Sequence, residues 1–115
     1  QLGEKLLIIL NSPNMSKNQP YLCCKTTSKQ KFNIVNEGCH SQFNIYVLNA
    51  NTEWFSKKTY IQFHNVFEFK CQEFLKAHFK GDLTIKSELK ELSINAIIAC
   101  IKKSDDISNY HLELL

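Results

Sequence analysis

The hydrophobic pattern of the first half of the chain predicts short β-strands separated by polar loops. Lys5–Leu10 is an apolar run with two isoleucines, and the polar Asn11–Asn14 ends it. Short apolar runs bounded by Asn, Ser and Pro are typical of buried strands. Residues 11–20 hold both prolines of the chain, so we expect them to form a long exposed loop.

A pair of strands is predicted next. Tyr21–Thr27 and Lys31–Val35 are both strand-like, and the polar residues 28–30 join them. This spacing predicts a β-hairpin, and Asn36–Gly38 then supplies a turn.

Gln42–Leu48 alternates with the period of two that is expected of a strand. One face carries Phe43, Ile45 and Val47, and the other carries Asn44, Tyr46 and Leu48. We expect the first face to be core and the second to meet a ligand.

The second half of the chain mixes strands with helices. Thr59–Phe69 is the longest β-rich run, and Cys71–His78 is long enough for two helical turns. Asp82–Ile85, after Gly81, predicts a last short strand. A closing helix is predicted over residues 92–103, capped by Ser93. Its apolar positions have the spacing i, i+3, i+4 and i+7 and are Ile94, Ile97, Ile98 and Ile101.

These elements favour one mainly β domain with minor α content, spanning residues 1–115. Five or six strands in so short a chain leave no room for parallel crossovers, which take a dozen or more residues each. The pattern therefore predicts a small, curved antiparallel barrel. At 115 residues the chain is long enough to bury a core without metals or disulfides.

All 14 basic residues are lysine, and with 11 acidic residues the net charge is +3. A lysine surface holds phosphates but reads base edges poorly, because it lacks the planar fork of arginine. The absence of arginine beside 11 asparagines also fits a compositional bias of an AT-rich coding sequence.

The five cysteines are an odd number, which a secreted disulfide framework would leave incompletely paired. Cys100 lies in an apolar stretch, where a free thiol behaves as a small core residue. Both points favour reduced thiols in an intracellular protein. The sequon Asn14–Ser16 and the first residue, Gln1, keep a secreted protein as the alternative.

Catalytic and metal motifs are missing from the sequence. It has no P-loop, nucleophile elbow, HExxH motif or glycine-rich phosphate turn. Structural zinc sites use paired ligands two to four residues apart. Adjacent residues in a strand point to opposite faces, so Cys23 and Cys24 cannot easily bind one ion. The adjacent Cys39 and His40 are unsuited for the same reason. Because these motifs are missing, we expect no enzyme, metal, cofactor or small-molecule substrate. Because no apolar run reaches 18 residues, we expect no membrane span.

Lysines alternate with aromatic residues in two places. Lys25, Lys29 and Lys31 lie near Phe32, and Lys57 and Lys58 lie among Trp54, Phe55 and Tyr60. This combination is typical of proteins that stack the bases of a single strand and neutralise its phosphates. The alternative is that the lysines are solvated and the aromatic rings fill the core.

Phe43–Asn49, Lys57–Val66 and Phe79–Ile85 together resemble the OB-folds of the replication protein A type. The chain is similar also to the single-stranded DNA-binding subunit of the SOSS complex and to telomere end-protection proteins. The resemblance implies a five-stranded OB-fold barrel with a short helix, at residues 51–58, between strands three and four. It also places Phe79 in the aromatic position before Lys80 and Tyr46 on the ligand face; Leu48 departs from the aromatic expected there.

We therefore predict a module that binds single-stranded DNA, or alternatively RNA, in a nuclear replication, repair or telomere complex. The predicted binding residues are Lys25, Lys31, Phe32, Tyr46, Lys57, Lys58, Tyr60, Phe79 and Lys80. An alternative is a docking subunit that contacts other OB-fold subunits through Ile97, Ile98 and Ile101. A second alternative is a secreted, disulfide-bonded binding protein.

Overall fold

The computed structural model describes residues 6–29 and 36–115, which form a five-stranded antiparallel sheet and three α-helices. The strands are β1 (Leu7–Ile9), β2 (Tyr21–Thr27), β3 (Gly38–His40), β4 (Ile45–Leu48) and β5 (Thr59–Phe69), in the sheet order β1-β2-β5-β4-β3. The helices follow the sheet as α1 (Cys71–Lys80), α2 (Glu91–Lys102) and α3 (Asn109–Leu114). Short 3₁₀ turns occur at Met15–Lys17 and Ser41–Phe43.

The predicted antiparallel arrangement is confirmed, but the sheet that the described strands form is open rather than closed into a barrel. β1 and β3 are its two edges, and the long β5 is its centre. β2 and β5 have the predicted bounds. The predicted strand at Lys31–Val35 lies outside the described residues.

Two local predictions are wrong. Residues 51–58 form turns with a bridge between Thr52 and Phe55 rather than a helix, and the positive φ of 63° at Asn51 and 58° at Glu53 interrupts any helical path. No strand forms at Asp82–Ile85. The chain bends at residues 36 and 37, within the predicted turn, and the edge strand β3 begins at Gly38.

β5 holds the sheet together because it pairs with β2 along one side and β4 along the other. The pairing of β2 with β5 contains a register shift. Cys23 pairs with Phe67 and Lys25 pairs with Gln62, so one residue of β2, Cys24, lies opposite four residues of β5. An irregularity of this kind bends a strand and increases its twist. The backbone N–H of Phe63, inside it, donates to the carbonyl of Asn44 at 3.0 Å.

The main core lies between one face of the sheet and α2. The predicted closing helix is confirmed to within one residue, and its Ile97 and Ile101 are fully buried. They belong to a cluster that also contains Leu22, Ile61 and Phe63 from β2 and β5. Burial of each such side chain contributes about 1.5–3 kcal/mol, so this layer supplies much of the stability. Ile45, Val47 and Tyr60 form a second buried cluster.

The N-terminus of α2 is held by a carboxylate from the turn between β4 and β5. Glu53 accepts from the backbone N–H of Lys90 at 3.1 Å and from the hydroxyl of Ser93. Ser93 was predicted to be the helix cap, but the helix begins at Glu91 and Ser93 is its third residue. A carboxylate at a helix N-terminus satisfies a free N–H group and interacts favourably with the helix dipole.

We expect Glu53→Ala to lower the free energy of unfolding by about 1 kcal/mol, because it removes the acceptor at the start of α2. Urea denaturation followed by far-UV circular dichroism measures the change. Glu88→Ala, an exposed carboxylate in the preceding segment, is the control and should change stability by less than about 0.5 kcal/mol. Equal effects of the two substitutions would contradict the capping role.

A disulfide between Cys39 in β3 and Cys100 in α2 ties the edge strand to the core helix. The prediction that Cys100 is a core residue is confirmed, because its side chain is buried. The prediction that it is a free thiol is wrong. Cys23, Cys24 and Cys71 are the cysteines that remain reduced.

We expect C39A/C100A to lower the free energy of unfolding by about 4 kcal/mol, because the bond closes a loop with a sequence separation of 61 residues. Denaturation midpoints with and without a dithiol reductant measure this contribution. Cys71→Ser, which leaves the disulfide intact, should retain the reductant sensitivity. A wild-type midpoint that does not move on reduction would contradict the bond.

Candidate functional site

The two tyrosines predicted to stack on bases lie in packed surroundings. Tyr46 is half-buried and packs against the main core, and burial raises the pKa of its hydroxyl, with the Glu37 carboxylate adding to the shift. Leu48, on the same face of β4, is buried in that core. The prediction that this face meets a ligand is therefore wrong for Leu48, whereas Tyr46 stays partly accessible. Tyr60 is only 3% exposed, which leaves no ring face for a base.

Phe43 was predicted to lie on the core face of a strand beside Ile45. It belongs instead to the 3₁₀ turn before β4 and is exposed. Asn44, with a φ of 56°, separates the turn from the strand. The strand is therefore shorter than the alternation predicted, and it begins at Ile45.

The loop at residues 49–58 brings an aromatic ring and lysines to the surface. Trp54 is 47% exposed, while the neighbouring Phe55 is buried and contacts it edge to face at 5.9 Å between ring centroids. Lys57 is exposed and Lys58 is half-buried. The sequence predicted this combination of an aromatic ring with two lysines, and the structure places it at the end of the sheet where β4 leads into β5.

The remaining predicted nucleic-acid contacts lie on different elements. Lys25 is exposed on β2, and Lys31 and Phe32 lie outside the described residues. Phe79 and Lys80 were predicted to open a strand but form the last turn of α1. Gly81, with a φ of 83°, ends that helix, and the N–H of the following residue bonds back to the carbonyl of Ala77. This is the left-handed helix ending that glycine favours.

The isoleucines predicted to contact a partner are largely inside the molecule. Ile97 and Ile101 are fully buried and Ile98 is half-buried. The prediction that they pack on another subunit is wrong for Ile97 and Ile101, because the chain's own sheet covers them. The i, i+3, i+4 spacing identified the apolar face of the helix but could not identify what covers it.

Another set of apolar side chains is exposed between α1 and the start of α2, and the sequence prediction included only one of them. Phe79 is 83% exposed, Leu92 is 85% exposed and Ile85 is 61% exposed, and Leu75 on α1 is also exposed. Spacing in α1 could have found Leu75, since it lies one turn before Phe79 on the same face. Nothing in the local sequence distinguishes exposed apolar residues from core residues.

The free cysteines in β2 are unsuited to nucleophilic chemistry. Cys23 and Cys24 are buried, and burial raises the pKa of Cys23 to about 11 and that of Cys24 to about 12, with the Cys23 charge adding to the second shift. Thiols that stay protonated at neutral pH are poor nucleophiles and poor metal ligands. Within residues 6–29 and 36–115, no three His, Cys, Asp or Glu side chains are grouped to hold a metal ion.

An open polar depression of about 270 Å³ lies beside the C-terminal end of α2. Its polar groups already bond to one another: Asn44 donates to the Asp106 carboxylate at 2.6 Å and accepts from the buried Ser104 hydroxyl. The depression is lined by Ser41, Gln42, Asn44, Lys103, Asp105 and Asp106. These bonds tie the end of α2 to the start of β4, which gives the cluster a structural role.

The chain matches no known protein in three comparisons. A scan of protein-family models finds no match to the chain, and searches of curated proteins and of solved structures find none either. None of the described helices has the length and apolarity needed to cross a membrane.

Proposed function

We propose that this chain is a non-catalytic binding module that docks on a partner protein through apolar side chains displayed between residues 75 and 92. The observation that carries the proposal is the exposure of Phe79 and Leu92, each more than four-fifths accessible, in the same stretch as Ile85. Single exposed apolar side chains are ordinary, but a contiguous exposed apolar patch is typical of an interaction surface, and the proposal takes these side chains as one such patch.

The geometry of α1 supports this proposal. Five side chains lie on one side of the helix by their spacing: Cys71, Phe74, Leu75, His78 and Phe79. Only Phe74 is buried; its ring contacts those of Tyr21 at 4.7 Å and Phe69 at 5.7 Å between centroids. Leu75 and Phe79 extend the apolar side beyond this contact. Aromatic anchors of this kind contribute a large share of the binding energy at protein interfaces.

The disulfide favours the secreted alternative over a nuclear location. A bond between Cys39 and Cys100 persists in oxidising compartments and is rare where thiols are kept reduced. A docking module that acts outside the cytosol accounts for both the disulfide and the exposed apolar side chains.

We expect a photo-reactive phenylalanine analogue at position 79 to crosslink one discrete partner in an extract of the cells that produce the protein. Phe79→Ser should weaken binding of the purified partner by at least about tenfold, since an aromatic anchor contributes about 2 kcal/mol. Surface plasmon resonance measures that affinity.

The matched control places the same analogue at Tyr110, an exposed aromatic residue of α3. It should give no crosslink to that partner. Equal labelling from both positions, or unchanged affinity of the Phe79→Ser protein, would contradict the docking surface.

A second candidate function is the binding of single-stranded DNA or RNA, which the resemblance to OB-folds implies. The observation that favours it is the half-exposed Trp54 beside Lys57 in the loop between β4 and β5. Exposed rings and ammonium groups are what sequence-tolerant binding of a single strand requires. The described sheet is open, so this candidate depends on the loop rather than on a barrel groove.

If that candidate is correct, a thymidine oligonucleotide should quench Trp54 fluorescence, and the affinity should fall steeply with salt. Lys57→Ala should reduce the slope of log K against log salt by about 0.7, the value for one phosphate contact on a single strand. Lys102→Ala, an exposed lysine of α2, is the control and should leave the slope unchanged. Absence of quenching, or affinity indifferent to salt, would exclude this function.

A further inference from the structure

The loop before β2 presents the chain's single N-glycosylation sequon, Asn14–Ser16. Five consecutive residues, 14–18, are exposed. The base of the loop is closed by Asn11, which donates to the carbonyl of Pro20 at 3.1 Å and accepts from the N–H of Leu22 at 2.8 Å. The sequon therefore projects from a fixed base, with solvent around it.

The side chains of Asn14 and Ser16 are hydrogen-bonded to each other. Asn14 Oδ1 accepts from the Ser16 hydroxyl at 2.6 Å and from the Ser16 backbone N–H at 3.1 Å. Among the described residues, no group accepts a hydrogen bond from Asn14 Nδ2. Asn14 is exposed, and its carboxamide nitrogen, which is the atom that would be glycosylated, donates to none of the described groups.

The disulfide is an independent observation that points to the same compartment. Disulfides such as Cys39–Cys100 form and persist in oxidising environments, among them the lumen of the endoplasmic reticulum and the cell exterior, and are rare in the cytosol. Sequons are modified on proteins that pass through that lumen.

We infer that Asn14 is an N-glycosylation site. In this reaction Asn14 Nδ2 attacks the anomeric carbon of an oligosaccharide carried on a polyprenyl diphosphate. A carbon–nitrogen bond forms, the bond from the anomeric carbon to the diphosphate oxygen breaks, the diphosphate leaves and Nδ2 loses one proton. The Ser16 hydroxyl acts as a positioning group for the carboxamide. This inference does not depend on the docking proposal, which concerns residues 75–92.

The first test expresses the chain behind a secretion signal in animal cells. We expect peptide N-glycosidase to remove one oligosaccharide and to convert Asn14 to aspartate, as read by mass spectrometry. Asn14→Gln and Ser16→Ala should abolish the modification, while Ser16→Thr should retain it. Asn18 is equally exposed but lacks a hydroxyl residue two positions later, so it should stay unmodified.

A positive control makes a negative result decisive. An Asn14→Gln chain that carries a sequon in an added C-terminal tail reports whether the chain reaches the glycosylation machinery. If the tail is glycosylated while wild-type Asn14 is not, the inference is wrong. That outcome would leave the crosslinking result at Phe79 unaffected, so the two proposals fail separately.

The second test examines the chain purified from the cells that produce it. We expect Asn14 to carry a glycan and the peptides containing Cys39 and Cys100 to be joined. Native chains in which Asn14 is unmodified would overturn the inference, whatever the result in the expression system.

Discussion

The packing of α2 against the sheet is the constraint on which the rest of the structure depends. Ile97 and Ile101 are fully buried in the cluster formed with β2 and β5. Separate contacts then fix the helix along its length: Glu53 at its start, the Cys100 disulfide near its end, and Ser104 just beyond it. The apolar face supplies the free energy, and the polar and covalent contacts set where the helix lies.

The position of α2 determines which surface is left for other molecules. Because its isoleucines are used inside the chain, a partner has to be met by other elements. α1 is anchored by one buried ring, Phe74, and the segment at residues 81–90 forms neither helix nor strand. Elements held by so few buried contacts keep apolar side chains at the surface, as Phe79 on α1 and Ile85 in this segment do.

Much of the secondary structure could be predicted from the sequence, because β2, β5 and α2 each have a strong local pattern. The failures occur where the outcome depends on a distant neighbour. β3 has no apolar alternation and exists because it pairs with β4. Asp82–Ile85 has a strand-like composition but pairs with no described strand. The surroundings of Tyr46 could not be predicted either, because β4 carries buried residues on both faces, Ile45 and Val47 on one and Leu48 on the other.

The cysteines show most clearly what local patterns leave open. Cys39 and Cys100 are separated by 61 residues, and only the packing of α2 beside β3 brings their sulfurs together. In a reducing compartment β3 would lose its covalent tie to the core helix, and Cys100 would remain as a buried thiol. The nuclear and secreted hypotheses therefore differ in covalent structure as well as in partner. A bond that stabilises the fold also restricts the compartments, and hence the functions, that are compatible with it.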